Sequence, residues 1–562
     1  MRLRTVLCIC FWCAAGTSFG QQPSGRAVPD EIFYNGKIIT VDSASRIQEA
    51  FAVQGEKVLA VGSNAEVRAL AGPPTRLTDL RGHAVIPGLM DNHNHQHHAG
   101  QMYLRGANLQ GVSSLAEMFN RLRQTAAATP PGRVVYGSMG WNPNAFPERR
   151  PPTRQELDRV APNHPVVVHR ARGQAYLNSA ALRLLGATRD KATLGRATFL
   201  QDSSGELTGV MTGSPAAVIN PTADLSPPTR EEMKEQIVTI QKQQHAVGLT
   251  SIRDLQIRPE AMRAYYELWR EGRLTMRVSM GLELNPEDVD ELEGRLRPWG
   301  VGTGFGDHWL RLDGIAEFNP GNDNFREPAL APGEDDGSQM RVPVEKYRQA
   351  ILLMNRYGWR PSPHINGDKG LDQVLDAYEA ADRESPIRDK RWIVEHIPLV
   401  HPDQMERMKR LGVMVSAQMQ PYRGAANMVR QLGRPRAERA VPVRELLDHG
   451  LIVSTGSDWP GPNNNPFVNL YFYVTRQTLD LGPFGVAQKI SRAEALRVAT
   501  INHAYLTFEE KIKGSIEAGK LADFVILSDD ILTVPEEQIR SILPLATYVG
   551  GRKVFAREGG GF

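Results

Sequence analysis

The sequence predicts an α/β protein: a (β/α)8 TIM-like barrel, flanked by a small β-sandwich domain built from both chain ends and interrupted by an inserted small α+β domain. Three observations predict it. Strand-like apolar runs recur with helical patterns between most of them, the signature of a parallel barrel when the runs number about eight. Short alternating runs occupy the two ends of the chain and read as strands of a separate β layer. Finally, about 120 residues separate the first barrel strand from the next regular unit, far more than an ordinary βα loop.

The chain opens differently from the rest. Met1-Arg2-Leu3-Arg4 is basic, 5–15 is mostly apolar, and Ser18-Phe19-Gly20 supplies small residues ahead of Gln21. That is the pattern of a cleaved secretory signal over 1–20, with the periplasm of a bacterium as the simplest destination. All three cysteines, Cys8, Cys10 and Cys13, lie inside it, so disulfides and cysteine chemistry are excluded from the mature chain. No later apolar window reaches the roughly 18 residues that a membrane span requires. At 562 residues the chain exceeds one compact core, so two or three domains are expected. A formal charge of +3 without a basic run argues against nucleic acid or an anionic membrane as partner.

Residues 28–84 carry the first part of the sandwich. Runs at 32–34 and 38–41 flank Asn35-Gly36, a strong hairpin signal, and runs at 50–53 and 58–61 flank Gly55-Glu56. The barrel, 85–508, begins with the apolar run Val85-Ile86-Pro87-Gly88-Leu89-Met90 leading into Asp91-Asn92-His93-Asn94-His95. Because strand side chains alternate faces, His93 and His95 point the same way and invite a divalent metal.

The insertion, 101–222, contains strand-like 133–136 and 166–169, the stretch Gly140-Trp141-Asn142-Pro143 and a helical pattern at 178–185. Placed over the end of the first strand it would act as a lid, with Trp141, Arg172 and Gln174 as candidate substrate contacts. Thr229 and Glu232 form a possible capping box opening the next helix. Strands then follow at 249–254, 277–284, 309–318, 361–365, 392–398, 413–419 and 451–458, and Leu371, Val374, Leu375 and Tyr378 show helix spacing between two of them. Ser491 to Glu494 caps a last helix; 524–527 and 547–554, with a Gly550-Gly551 turn, return to β character within the second part of the sandwich, 509–562.

Residues able to bind metal fall at the ends of these strands: His93 and His95 on the first, Glu317 on the fourth, His364 on the fifth, His396 on the sixth and Asp458 on the eighth. Barrel chemistry sits at the C-terminal strand ends. Four imidazoles with one or two carboxylates suit one or two zinc-like ions, and a metal there would acidify water, with Asp458 taking the proton and passing it to a leaving amine.

The segments Pro87-Gly88-Leu89-Met90-Asp91-Asn92-His93-Asn94-His95, His364-Ile365-Asn366-Gly367-Asp368, Glu395-His396, Gly456-Ser457-Asp458 and 514–523, with Asn178-Ser179-Ala180-Ala181-Leu182 in the insertion, resemble the amidohydrolase superfamily. Within it they are most similar to the amidohydrolase-3 branch that includes the N-substituted formamide deformylases. The resemblance implies His93, His95, His364 and His396 as metal ligands, and Asp458 as ligand and base. Two departures stand out. Relatives often carry a carboxylated bridging lysine where this chain has Ala316, so that either Glu317 supplies the carboxylate or the site holds one metal. In the insertion, Arg172-Gly173-Gln174 stands where relatives tend to show Asp-Gly-His.

His97 and His98 are expected in a loop past the strand, His83, His245 and His503 are expected to be structural, and Asp254 to cap the following helix. The expectation is a secreted metal-dependent hydrolase of a non-peptide carbon–nitrogen bond in a small molecule, such as an N-acyl or N-formyl amine. Its rivals are an ester or lactone hydrolase on the same site and a catalytically silent binding protein. The sequence gives neither the substrate nor the oligomeric state, leaving a homo-oligomer open.

Overall fold

The computed structural model describes residues 27–104, 106–138, 140–171, 174–194, 197–213, 228–283, 291–318, 325–330, 342–460 and 464–562. The expected signal segment, the three cysteines and Arg172 lie outside them.

The centre is a TIM-barrel-like α/β fold. Among the described residues its strands are Leu89–Asn94, Leu249–Ile257, Arg277–Leu282, Leu310–Ala316, Pro361–Ser362 continued by His364–Ile365, Ile393–His396, Met414–Gln418 and Val453–Gly456. They pair in parallel, each with the next. The fifth strand is shared between two sheets, divided at Pro363, which has no N–H to give a ladder. On the far side the Asp458 N–H donates to the His93 carbonyl at 2.8 Å, and a parallel bridge joins Asn94 to Trp459. These strands are buried almost throughout, which is why they read as continuous apolar runs without alternation.

The helices outside the strands follow local signals. Arg230–His245 starts at the expected capping box of Thr229 and Glu232, and Asp368–Glu384 turns Leu371, Val374, Leu375 and Tyr378 into the largest core. Gly88 joins Ala84–Pro87 to the first barrel strand where a Cβ would stand 2.2 Å from Thr250 Oγ1, so only glycine fits between the strands. No helix among the described residues is long and apolar enough to cross a membrane.

Both chain ends contribute to a six-stranded sheet in the order Arg552–Ala556, Pro544–Val549, Phe524–Leu527, Ala84–Pro87, Lys37–Ile39, Ile47–Gln48. A four-stranded sheet holds Lys57–Gly62, Ala50–Gln54, Glu31–Tyr34 and Arg76–Asp79. Phe33 and Phe51 of the second sheet pack on Phe524 and Tyr548 of the first, with ring centroids 4.8 to 5.3 Å apart across the two. The Gly55-Glu56 hairpin forms as expected. The Asn35-Gly36 hairpin does not: Glu31–Tyr34 pairs with Ala50–Gln54 and Arg76–Asp79, whereas Lys37–Ile39 pairs with Ile47–Gln48 and Ala84–Pro87. The turn carries the chain from one sheet to the other, and each flanking strand takes its partners within its own sheet.

The insertion builds its own six-stranded sheet from Thr193–Leu194, Ala197–Gln201, Leu207–Gly213, Gln174–Leu177, Val166–Ala171 and Val135–Gly137. The helix Ser179–Leu184 is capped by the Asn178 side chain, which accepts from Ala181 N–H and Val166 N–H and donates to the His164 carbonyl. The resemblance at this asparagine therefore marks a structural staple.

Candidate metal centre

The six ligand candidates arrive from the ends of five strands. His93 lies within the first strand and His95 just past it; Glu317 follows the last residue of the fourth, His364 lies in the fifth, His396 ends the sixth, and Asp458 stands two residues past the eighth. Glu317 sits at the middle. Its Oε1 is 2.9 Å from His93 Nε2, 3.4 Å from His364 Nδ1 and 3.3 Å from His396 Nε2. Asp458 Oδ1 lies 3.3 Å from His95 Nε2 and 3.5 Å from His93 Nε2. Three sets, His93/His95/Glu317, Glu317/His364/His396 and His93/His396/Asp458, each bring their ligand atoms within 4.8 Å of one another. At the fourth strand, Ala316 is the last strand residue and the Glu317 carboxylate turns inward among the histidines.

The chemistry of these atoms fits a cation. His93 Nδ1 lies 2.7 Å from Glu395 Oε2, a bond that places the ring proton there. Its Nε2 is fully buried and faces the Glu317 Oε1 carboxylate oxygen at 2.9 Å. Two lone pairs at that distance repel unless a proton or metal ion lies between them. His95 repeats the arrangement, with Nδ1 3.2 Å from the Leu255 carbonyl and Nε2 turned toward Asp458. Nitrogen and carboxylate oxygen without thiolate suit zinc or another first-row divalent ion.

The electrostatics show the same pull. Burial disfavours the His93 cation, yet Glu317 and Glu395 outweigh it and lift the imidazole to about 10. Against its own burial, Glu317 is held well below the usual carboxylate range by His93 and His364. Burial pushes His396 down to about 4. The Glu317 and Glu395 carboxylates on either side of the His93 ring place negative charge at this point of the barrel.

Several surrounding residues escaped the sequence reading. Gln256 Nε2 donates to Glu317 Oε2 at 3.0 Å, and Gln420 Nε2 lies 3.0 Å from His396 Nδ1. Asp91 accepts from Ser457 N–H, from the Ser457 hydroxyl and from Asn94 and His93, tying the first strand to the eighth. Glu395 and Arg253 are buried completely. Their signal was present: a charge inside an apolar run, as in Trp392-Ile393-Val394-Glu395, has to be paired when buried.

Other expectations land elsewhere. His97 and His98 are not in a loop but in the helix Gln96–Leu104, because the chain turns straight from the strand into it. Asp254 does not cap the next helix, whose N-cap is Arg258; its Oδ2 accepts from Tyr265 at 2.6 Å and lies 3.1 Å from His97 Nδ1. Burial, with His97 and His95 nearby, pushes His98 well below the ordinary imidazole range. Trp141 packs into the insertion's own core and donates to the His169 carbonyl at 2.7 Å. Gln174 accepts from Arg170 at 3.0 Å.

Over nearly its whole length the chain is similar to the N-substituted formamide deformylase of Arthrobacter pascens, at 27% identity over 94% of this chain and 99% of that one. It is equally similar to the protein LONG AFTER FAR-RED 3 of Arabidopsis thaliana, at 27% identity over 95% and 93%. Among solved structures, a metal-dependent hydrolase from Pyrococcus furiosus matches with a TM-score of 0.68 at 26% identity, over 90% of this chain and 100% of that one. Residues 76–555 match the model of the Amidohydro_3 amidohydrolase family, and the chain belongs to that family.

Proposed function

We propose that this amidohydrolase cleaves a non-peptide carbon–nitrogen bond of amide type, in an N-acyl or N-formyl amine, with zinc held by His93, His95, Glu317, His364, His396 and Asp458. The observation that carries the reading is the inward convergence of those six side chains around Glu317. A divalent ion bound there supplies Lewis acidity toward a carbonyl and acidifies water. Asp458 is the exposed member of the group, 22% accessible at its side chain against 0–9% for the others. It is therefore the one that can meet incoming water, take its proton and return it to a leaving amine. Glu317, His93 and His396 each belong to two of the three ligand sets, and together the six side chains would hold one or two ions.

The sheets formed by the chain ends act in this proposal as one β-sandwich domain beside the barrel, and the insertion as a lid domain. The protein is exported through its N-terminal signal to the periplasm. The deformylase likeness supports the substrate class, while Arg172-Gly173-Gln174 argues for a different substrate within it.

The test combines metal analysis of the purified protein with hydrolysis of matched N-acyl amines and esters, alongside Asp458→Asn. The expected result is bound zinc, faster turnover of the amide series and a loss of roughly 10²–10⁴-fold in the variant. Preference for esters would overturn the bond assignment, and bound metal with no turnover of any acyl compound would favour a binding protein.

A further inference from the structure

We infer that Glu395 is the positioning residue of the metal centre, fixing the tautomer of His93 so that Nε2 is delivered as a lone pair, and that Arg253 holds the Glu395 carboxylate in place. The inference rests on the metal reading above and goes beyond it, since neither residue belongs to the ligand set. Glu395 is buried completely and adjoins His396 in the sixth strand. Its Oε2 takes the His93 Nδ1 proton at 2.7 Å, and its Oε1 accepts from Arg253 Nη1 at 3.0 Å and from the Ser362 hydroxyl.

Arg253 reaches across the barrel interior. Standing on the second strand, it donates through Nη1 to the Asn92 carbonyl of the first at 2.7 Å. Through Nε and Nη2 it donates to Asp313 of the fourth at 3.0 and 2.9 Å, and through Nη2 to Ser362 of the fifth at 3.2 Å. With Glu395 on the sixth, one guanidinium ties together side chains or backbone from four strands besides its own, the first, fourth, fifth and sixth. The planar fork suits this, because each donor direction is fixed.

Isolated, the Glu395 carboxylate could not stay ionised in such a place. Arg253 and His93 both stand against it, at 3.0 and 2.7 Å. Asp313 in turn balances Arg253 and Arg360. The result is a closed ionic chain leading from the barrel interior to one ligand atom. A carboxylate on the distal nitrogen of a ligating histidine both orients the ring and makes it a better donor, and loss of such a partner typically costs 10–100-fold in metal affinity.

Zinc affinity, measured by competition with a chromophoric chelator, tests this on the full chain, Glu395→Gln, Glu395→Ala and Ser362→Ala, with unfolding of each metal-free protein followed in parallel. Glutamine keeps an acceptor for Nδ1 but not the charge, so E395Q is expected to lose about tenfold and E395A nearer a hundredfold. S362A removes one donor from Glu395 Oε1 but leaves the contacts of Glu395 to His93 and Arg253, so its loss is expected to be smaller than that of E395Q. A purely structural role would shift the unfolding of E395Q and leave its zinc affinity unchanged, and that result overturns the inference. Should the variants not fold, neutron diffraction from the perdeuterated, zinc-loaded parent decides: deuterium on His93 Nδ1 supports it, and a bare Nδ1 overturns it. Failure of the parent to bind any metal would instead refute the metal reading itself.

Discussion

Replacing Gly456 by alanine tests how closely the first and eighth strands must approach to form the site. A Cβ at Gly456 would stand 2.3 Å from Asn92 Oδ1, 2.6 Å from His93 N and 2.7 Å from Asp91 Oδ1. The His93 nitrogen is backbone and cannot swing aside. Ordinary contact starts near 3.4 Å, so the first strand has to retreat by about 0.8 Å at His93. Overpacking of this kind costs about 1–3 kcal/mol. Metal–ligand distances tolerate only about 0.2 Å, so the same shift carries His93 out of register with Glu317 and Asp458. Thermal unfolding of the metal-free protein should fall by a few degrees, and chelator competition should show weakened zinc binding. A G456A protein that unfolds at the parental temperature and binds zinc with parental affinity would refute the reasoning.

Two further perturbations address stability. The Arg277 side chain of the third strand forms a two-pronged bond to Asp523, at 2.6 and 2.8 Å, and Gly550 N–H donates to the same carboxylate at 2.7 Å; both charges are buried. Asp523→Ala leaves that guanidinium without its partner and is expected to cost about 3–5 kcal/mol, read as a lower denaturant midpoint, with an unchanged midpoint as the contrary result. His245 is pushed by burial from 6.5 to about 4, offset only partly by its bond to the Leu249 carbonyl, and burial likewise takes His169 to about 4. The unfolded chain therefore takes up protons that the native one refuses. This contribution to stability is complete above about 6.5 and is lost as the pH falls from there toward 4. Unfolding midpoints measured across this window should decline, and His245→Gln should flatten the decline; an identical slope in the variant would count against the assignment.

The barrel strands were legible because a parallel sheet covered on both faces leaves uninterrupted apolar runs in the sequence, and their polar ends marked where His93, His95, His364, His396 and Asp458 meet. What pairs with what was harder to read. Asn35-Gly36 has the chemistry of a hairpin turn, yet its flanking strands enter different sheets, a choice made by partners far along the chain. The two glycines at 550 and 551 gave a hairpin correctly, since both adopt positive φ and the neighbouring strands pair with each other. Glu317 could not be placed from sequence, because one residue of register at a strand end decides between the barrel interior and its outside. His97 and His98 read as loop because no cap signal separates the first strand from the helix that follows. Arg253, Asp313 and Glu395 were hidden for another reason: each looks like a stray charge until the strands are arranged in a circle and all three prove to face its axis.

The most direct measurement is anomalous diffraction at the zinc absorption edge from crystals of the zinc-loaded protein. The account predicts density enclosed by His93, His95, Glu317, His364, His396 and Asp458. Zinc bound stoichiometrically at any other place, with those six side chains contacting only one another, would contradict it.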